Sequence, residues 1–189
     1  MALDIFYKIS TLYQAMDKAW YDIASQYDFH CSGCEDNCCR SLFFHHTLVE
    51  KTYLLHGFDQ LSQDIKKKSI ARAKTYCSKT FHQSGSLTSL KLMCPLNWDG
   101  MCILYKYRPM ICRLHGLPHE LHKPGNLVLK GPGCEAGLFD SKKYIAFDRT
   151  PFYKEMAEIE MEFRRNTPKN GRIKETVAQM LDKKELQLP

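Results

Sequence analysis

The chain has 189 residues, about the size of one ordinary domain, and its 44% apolar and 25% charged residues are typical of a folded globular protein. This composition excludes an intrinsically disordered chain. The longest apolar run, Met101 to Tyr105, is far shorter than the ~20 residues that span a bilayer. Asp4 and Lys8 interrupt the N-terminus, so no signal peptide is visible. We therefore predict a soluble, cytoplasmic protein without a membrane partner.

The charge is unevenly distributed along the chain. Lys and Arg number 27 and Asp and Glu 21, for a net charge of +6. Residues 1–58 carry 4 basic and 7 acidic side chains, so residues 59–189 carry 23 and 14. The basic part permits an acidic partner such as a nucleic acid, but it does not require one. We expect an unidentified protein or redox partner, for which the charge pattern is not specific, and a nucleic acid has only weak support.

The first two predicted elements are helices. An apolar stripe with helical spacing precedes Cys31 and predicts the first helix. Its members are Ile5, Ile9, Leu12, Met16, Trp20, Ile23 and Tyr27. A capping box from Thr47 to Glu50 predicts the start of a second helix, in which each side chain satisfies a backbone N–H. Gly57 is its expected C-terminal stop.

The remaining predicted elements are a basic third helix and two helices near the C-terminus. The third helix is expected over residues 59–76, and its basic side chains form either a solvated face or a phosphate-binding face. They are Lys66, Lys67, Lys68, Arg72 and Lys74. The Thr150-Pro151 pair predicts a helix start, and a last helix is expected over residues 172–184. Residues 82–137 are rich in proline and glycine and are expected to be mostly irregular.

These patterns predict a fold class and a domain organisation. We expect a mainly α protein, a single helical domain over residues 1–189 around an irregular, cysteine-rich metal-binding core. The cysteine-cluster region spans about residues 30–135, and helices flank it on both sides. Metal ligation is a natural way to order a segment with few regular backbone hydrogen bonds.

Nine cysteines indicate metal or redox chemistry, because cytosolic thiols stay reduced and an odd number does not fit a closed disulfide framework. Eight of them are clustered. The candidate metal ligands are Cys31, Cys34, Cys38, Cys39, Cys94, Cys102, Cys112 and Cys134. Thiolate ligands gather negative charge. Arg40 and Arg113, each directly after a candidate ligand, could offset that charge or form surface ion pairs with Glu35 or Asp36.

Both an iron–sulfur cluster and zinc are compatible with these spacings. Three cysteines in one short loop and a distant Cys-Pro pair are typical of a 4Fe-4S cluster, as in Cys31, Cys34 and Cys38 with Cys94-Pro95. Structural zinc usually uses paired short knuckles, of which Cys31/Cys34 is a clean example. The adjacent Cys38 and Cys39 fit neither arrangement simply, so one of them could serve a second site or a redox step. Two sites of four cysteines also remain open.

The two cysteine blocks resemble the YkgJ-type cysteine-cluster family, a putative zinc- or iron-chelating domain. The first reads Cys31-Ser-Gly-Cys34-Glu-Asp-Asn-Cys38-Cys39. The second begins Cys94-Pro95 and ends Cys102-Ile-Leu-Tyr105-Lys-Tyr-Arg108-Pro109-Met-Ile-Cys112-Arg113. The resemblance implies a metal or iron–sulfur site at the eight clustered cysteines and leaves Cys77 outside the pattern. Flagellin lysine methylases carry a similar cluster, which adds a group-transfer enzyme to the alternatives.

Two further groups of residues have weaker functional interpretations. His115, His119 and His122 could bind a second metal, although Pro118 makes a regular helical display unfavourable. Tyr105 and Arg108 are expected to be structural, as is Cys77, which fits a small buried hydrophobe.

Three functions follow from the sequence. The first is an iron–sulfur protein for redox or electron-transfer chemistry. The second is a non-enzymatic interaction module held together by zinc, and it is favoured by the lack of a recognisable nucleophile–base pair or phosphate loop. The third, a protein methylase or similar group-transfer enzyme, rests on family analogy alone.

Overall fold

The computed structural model describes residues 2–31, 38–81, 91–134, 137–167 and 171–184. The chain divides into two compact units. Unit 1 comprises Met1–Cys38 and Met110–Asn170, and unit 2 comprises Cys39–Pro109 and Gly171–Pro189. The prediction of a single domain stays a prediction, because compact units also occur within one domain. No helix in the described ranges has both the length and the apolar character needed to cross a membrane.

Six α-helices and four short strands form the regular structure of the described residues. The helices are α1 (Ala2–Gln26), α2 (Leu48–Asp59), α3 (Gln63–Phe81), α4 (Met110–Leu114), α5 (Thr150–Arg165) and α6 (Val177–Asp182). The strands form two antiparallel hairpins, β1 (Asn97–Trp98) with β2 (Met101–Cys102) and β3 (His119–Lys123) with β4 (Leu127–Gly131). Short 3₁₀ helices cover Cys38–Arg40 and Tyr105–Tyr107.

The predicted fold class is wrong, because the fold mixes helices with two antiparallel hairpins, and both hairpins lie in the described residues 91–134 that were expected to be irregular. The turns explain the difference. Asp99 and Gly100 have φ values of 49° and 83°, and Gly125 and Asn126 have values of 80° and 61°. Left-handed residues of this kind match the twist of paired strands. The glycines that suggested irregular structure therefore close hairpins.

Unit 1 is built on α1, whose predicted apolar stripe is confirmed. Ile9 and Met16 are fully buried, and α1 packs against α4 and α5. Lys8 forms an ion pair with Glu162 at 2.7 Å, which links α1 to α5. The predicted helix start at Thr150-Pro151 is also confirmed, with Pro in the first turn of α5.

Unit 2 has its core between α3 and α6. Phe58 and Leu181 are fully buried in an apolar cluster to which α2, α3, α6 and the β1–β2 region contribute. A capping box begins α6, since the Thr176 hydroxyl accepts from the Gln179 N–H while the Gln179 amide oxygen accepts from the Thr176 N–H. This helix is shorter than predicted because Glu175 pairs in extended conformation with His45.

The predicted start of α2 at Thr47 is confirmed, whereas its capping box and its predicted stop at Gly57 are wrong. The Thr47 hydroxyl donates to the Glu50 carboxylate and makes no cap to the backbone. The helix continues past Gly57 to Asp59. A Cβ at Gly57 would overlap the ring of Tyr107, so this glycine permits a close approach rather than ending the helix.

Candidate metal site

Three of the predicted ligands come together in unit 2. The Cys94 N–H donates to the carbonyl oxygen of Cys39 at 2.8 Å, which joins the 3₁₀ helix to the segment before β1. The Asn97 N–H donates to the Cys94 carbonyl oxygen at 3.0 Å. Asn97 is in turn the cross-strand partner of Cys102. A short series of backbone hydrogen bonds and one strand pair therefore connects Cys39, Cys94 and Cys102.

The hairpin geometry holds this arrangement in place. The Asp99-Gly100 turn makes β1 and β2 a two-residue hairpin, and the Ile103 N–H donates to the Leu96 carbonyl oxygen at 2.9 Å just beyond it. Leu96 is 1% exposed. Cys94 and Cys102 both pack against the apolar cluster of unit 2. The fold thus brings two thiols from the ends of one hairpin to the same apolar surface.

The electrostatics of Cys94 reflect these neighbours. Burial raises the pKa of the Cys94 thiol to about 12, and the nearby Cys39 and Cys102 thiols act in the same direction. A hydrogen bond from the Leu96 backbone and the positive charge of Arg72 lower this pKa but do not offset the rise. Without a cation among the sulfurs, Cys94 is therefore a neutral thiol at physiological pH.

Cys77 also lies in the apolar cluster of unit 2 but has different neighbours. It is 6% exposed on α3. Burial raises the pKa of its thiol, Asp182 raises it further and Lys183 lowers it. The Cys77 environment agrees with its predicted role as a small buried hydrophobe.

The other predicted ligands belong to unit 1. Cys31 is exposed after α1, Cys112 is half-buried on α4, and Cys134 is half-buried after β4. The Cys134 N–H donates to the Gly116 carbonyl oxygen at 3.0 Å. Cys34 lies outside the described residues.

The unit boundary separates the adjacent cysteines of the first block. Cys38 belongs to unit 1 and begins the 3₁₀ helix, whereas Cys39 belongs to unit 2. The expectation that Cys38 and Cys39 have different roles stays a prediction.

The thiols are close in unit 2 without forming a ready ligand set. Across the described ranges, no three or more histidine, cysteine, aspartate or glutamate side chains are placed so that they could hold a metal ion. The described residues therefore do not contain the predicted metal-binding core. Backbone hydrogen bonds and strand pairing bring Cys39, Cys94 and Cys102 near one another, and metal binding by these residues stays a prediction.

Arg113 has a partner that neither of its two sequence-based alternatives named, and its role as a charge partner for thiolates stays a prediction. Arg113 is 4% exposed, forms an ion pair with Asp17 and lies 4.1 Å from the centre of the Tyr13 ring. These contacts anchor α4 to α1. The cation whose charge acts on Cys94 is instead Arg72 of α3, 5.4 Å from the Trp98 ring centre.

Tyr105 and Arg108 of the second cysteine block contact each other. The Arg108 guanidinium lies 3.7 Å from the centre of the Tyr105 ring, a cation–π contact that agrees with a structural role. The following Pro109 is buried.

The three candidate histidines do not form a site. His119 and His122 are three residues apart on β3, so their side chains project from opposite faces of the hairpin. The His119 ring lies 3.2 Å from the Leu117 carbonyl oxygen, and His122 lies 2.9 Å from the Glu120 carboxylate. His115 precedes this strand and contributes its carbonyl oxygen to the Trp20 indole N–H. Because β3 is a strand paired with β4, it separates the side chains of His119 and His122, which the sequence had grouped as one candidate site.

Several basic side chains of α3 have partners within unit 2. Lys68 pairs with Asp64 at 2.9 Å, and Lys66 donates to the Asp59 carbonyl oxygen at 3.2 Å. These contacts, with Arg72 over Trp98, agree with a solvated structural face more than with a phosphate-binding one.

Sequence analysis missed Asn97, which lies between the cysteines of unit 2. The signal was present, because Asp-Gly flanked by short strand-like segments is a strong hairpin pattern. This pattern would have placed Asn97 opposite Cys102 and thus next to the candidate site.

Comparison with protein-family models, curated proteins and solved structures found no match to this chain. The resemblance to the YkgJ-type family therefore remains a prediction from the cysteine motifs.

Proposed function

We propose that this chain is a metal protein whose clustered cysteines hold an iron–sulfur cluster for redox or electron-transfer chemistry. The observation that carries the proposal is the meeting of Cys39, Cys94 and Cys102 in unit 2. These residues come from distant parts of the sequence and are joined by backbone hydrogen bonds and strand pairing.

The residues present suit a thiophilic centre. Three cysteines with no competing carboxylate in their backbone network are a soft donor set, the kind that selects iron–sulfur clusters or zinc over magnesium or calcium. A bound cationic centre would favour the thiolate form of Cys94, which burial alone disfavours. Arg72 supplies additional positive charge from α3.

The chain's own residues would hold and shield such a centre. Cys94 and Cys102 contact the apolar cluster of unit 2, which limits the access of water to their sulfurs. The Leu96 backbone donates a hydrogen bond to the Cys94 sulfur, an interaction that favours negative charge on it. An iron–sulfur cluster, when bound, supplies reversible one-electron chemistry.

The test is metal and acid-labile sulfide analysis of protein purified without oxygen, together with its visible absorption spectrum. We expect brown protein with iron and sulfide in near-equal amounts. Colourless protein with stoichiometric zinc would overturn the redox assignment and favour the zinc-held interaction module. Protein that takes up neither iron nor zinc, even after anaerobic reconstitution, would refute metal binding altogether.

A further inference from the structure

We propose that the side-chain amide of Asn97 is a positioning group that donates a hydrogen bond to the sulfurs of the centre held by Cys94 and Cys102. This inference rests on the proposed function and assigns a second, non-ligand residue to the same site.

Asn97 is a buried polar residue whose side-chain amide nitrogen, Nδ2, has no hydrogen-bond partner among the described residues. The side chain is 3% exposed, so water does not replace a protein acceptor. Buried N–H groups nearly always find an acceptor, because the loss of their hydration is otherwise uncompensated. An unsatisfied donor at this place therefore points to an acceptor that binds there.

The strand register places Asn97 on the same face of the hairpin as Cys102. Asn97 and Cys102 are directly opposite in the β1–β2 pair, so their side chains lie on one face of the hairpin with Cβ atoms about 5 Å apart. The Asn97 N–H also donates to the carbonyl oxygen of Cys94. Thiolate and sulfide sulfurs accept N–H hydrogen bonds, and such bonds tune the potential of iron–sulfur clusters.

Trp98 provides a matched control on the same hairpin. Its indole nitrogen is also buried without a partner in the described part of the chain. However, Trp98 is opposite Met101, which is 64% exposed, and therefore belongs to the other face of the hairpin. Replacing Trp98 with Phe removes an unpartnered N–H of the same strand without altering the face that carries Cys102, and it keeps an aromatic ring beside the Arg72 guanidinium that contacts Trp98.

The experiment compares wild type with Asn97→Leu, Asn97→Ser and Trp98→Phe in the full chain, reconstituted anaerobically with iron and sulfide. The two readouts are the midpoint reduction potential and the increase in Tm between the metal-free and loaded forms. We expect Asn97→Leu to lower the potential and to reduce the Tm increase while leaving the metal-free Tm unchanged or higher. Asn97→Ser, which keeps a smaller donor, should fall between Leu and wild type, and Trp98→Phe should match wild type.

Several outcomes would overturn the proposal. One is a wild-type potential and Tm increase in Asn97→Leu. Another is an equal fall of the metal-free and loaded Tm in this variant, as expected of a purely structural residue. An equal shift of potential in Trp98→Phe would show that the effect is not specific to the cysteine face. These results would leave the proposed function intact, whereas a wild-type chain that takes up no metal would refute both. If the chain holds zinc, the Tm increase alone decides the role of Asn97.

Discussion

The Cys94 N–H donates a hydrogen bond to the carbonyl oxygen of Cys39 at 2.8 Å, although the two cysteines belong to different sequence blocks. Cys39 ends the first block, and Cys94 begins the second. Unit 2 therefore combines one cysteine of the first block with two of the second, while Cys31 and Cys38 belong to unit 1. The grouping of the thiols follows the tertiary fold rather than their spacing in the sequence.

Replacement of Cys94 should remove metal, whereas replacement of Cys77 should not. Both residues contact the apolar cluster of unit 2, and burial raises the pKa of both thiols. Only Cys94 is influenced by the thiols of Cys39 and Cys102. We expect Cys94→Ser to lose metal and to lower the Tm of the loaded protein, because metal binding and folding are linked.

The matched variant Cys77→Ser buries a hydroxyl and should cost about 1–3 kcal/mol of stability while keeping the wild-type metal content. Metal analysis and thermal unfolding of both variants provide the measurement. Loss of metal from Cys77→Ser would contradict the division of the nine thiols.

Replacement of Cys112 tests whether unit 1 also contributes ligands. Cys112 is half-buried on α4 in unit 1. If it is a ligand, as the sequence motif predicts, Cys112→Ser should reduce the iron or zinc content per chain. Metal content equal to that of wild type, with an unchanged Tm, would show that Cys112 is not a ligand.

Asp17→Asn should destabilise the protein without changing its metal content. The Asp17 carboxylate is the ion-pair partner of the buried Arg113, and Asp17→Asn removes the negative charge from this pair. We expect a cost of about 2 kcal/mol in the free energy of unfolding, less than the ~3–5 kcal/mol of a fully buried pair because Asp17 is partly exposed.

Asp22→Asn on the same helix is the control for Asp17→Asn. It breaks an exposed ion pair with Lys18 and should change stability little. Urea unfolding compares the two variants. Loss of metal from Asp17→Asn would instead support a role of Arg113 near the thiolates.

Gly57→Ala should destabilise α2 although alanine is the better helix former. Its Cβ would overlap the Tyr107 ring. The resulting strain should cost about 1–3 kcal/mol and exceed the ~1 kcal/mol gain in helix propensity. In the Tyr107→Ala background, Gly57→Ala should lose this penalty, and a double-mutant cycle by urea unfolding measures the coupling. Additive effects of the two substitutions would contradict this explanation.

Stability should fall as the pH is lowered from 6.5 to about 4 because of His45. Burial, with a contribution from His46, lowers the pKa of His45 from 6.5 to about 4. In this pH range His45 binds a proton in the unfolded chain but not in the folded chain. The free energy of unfolding therefore falls by up to about 3 kcal/mol on acidification. The stability that neutral, buried His45 contributes is fully present above pH 6.5.

The variant His45→Gln should flatten the dependence of the unfolding free energy on pH between 4.5 and 6.5. Part of the slope should remain, because burial also lowers the pKa of His119. An unchanged slope in His45→Gln would show that another group dominates this range.

The sequence by itself determined the main helices and the candidate ligands. Helix α1 was predictable because an apolar stripe such as Ile9 and Met16 is a local pattern that buries one helix face. The nine thiols and the Cys-Pro pair at Cys94 were likewise visible without a fold.

Tertiary structure decided which residues meet, because a contact between distant segments depends on the packing of every element between them. It placed Cys39 beside Cys94, assigned Arg113 to Asp17 rather than to the thiols, and made Gly57 a site of close packing. The Asp99-Gly100 turn in the sequence favours the pairing of Asn97 with Cys102, but the tertiary structure decided which surface the hairpin covers. A strand of two residues is too short to show an alternating pattern, so its register depends on the turn and on the apolar surface that the hairpin covers.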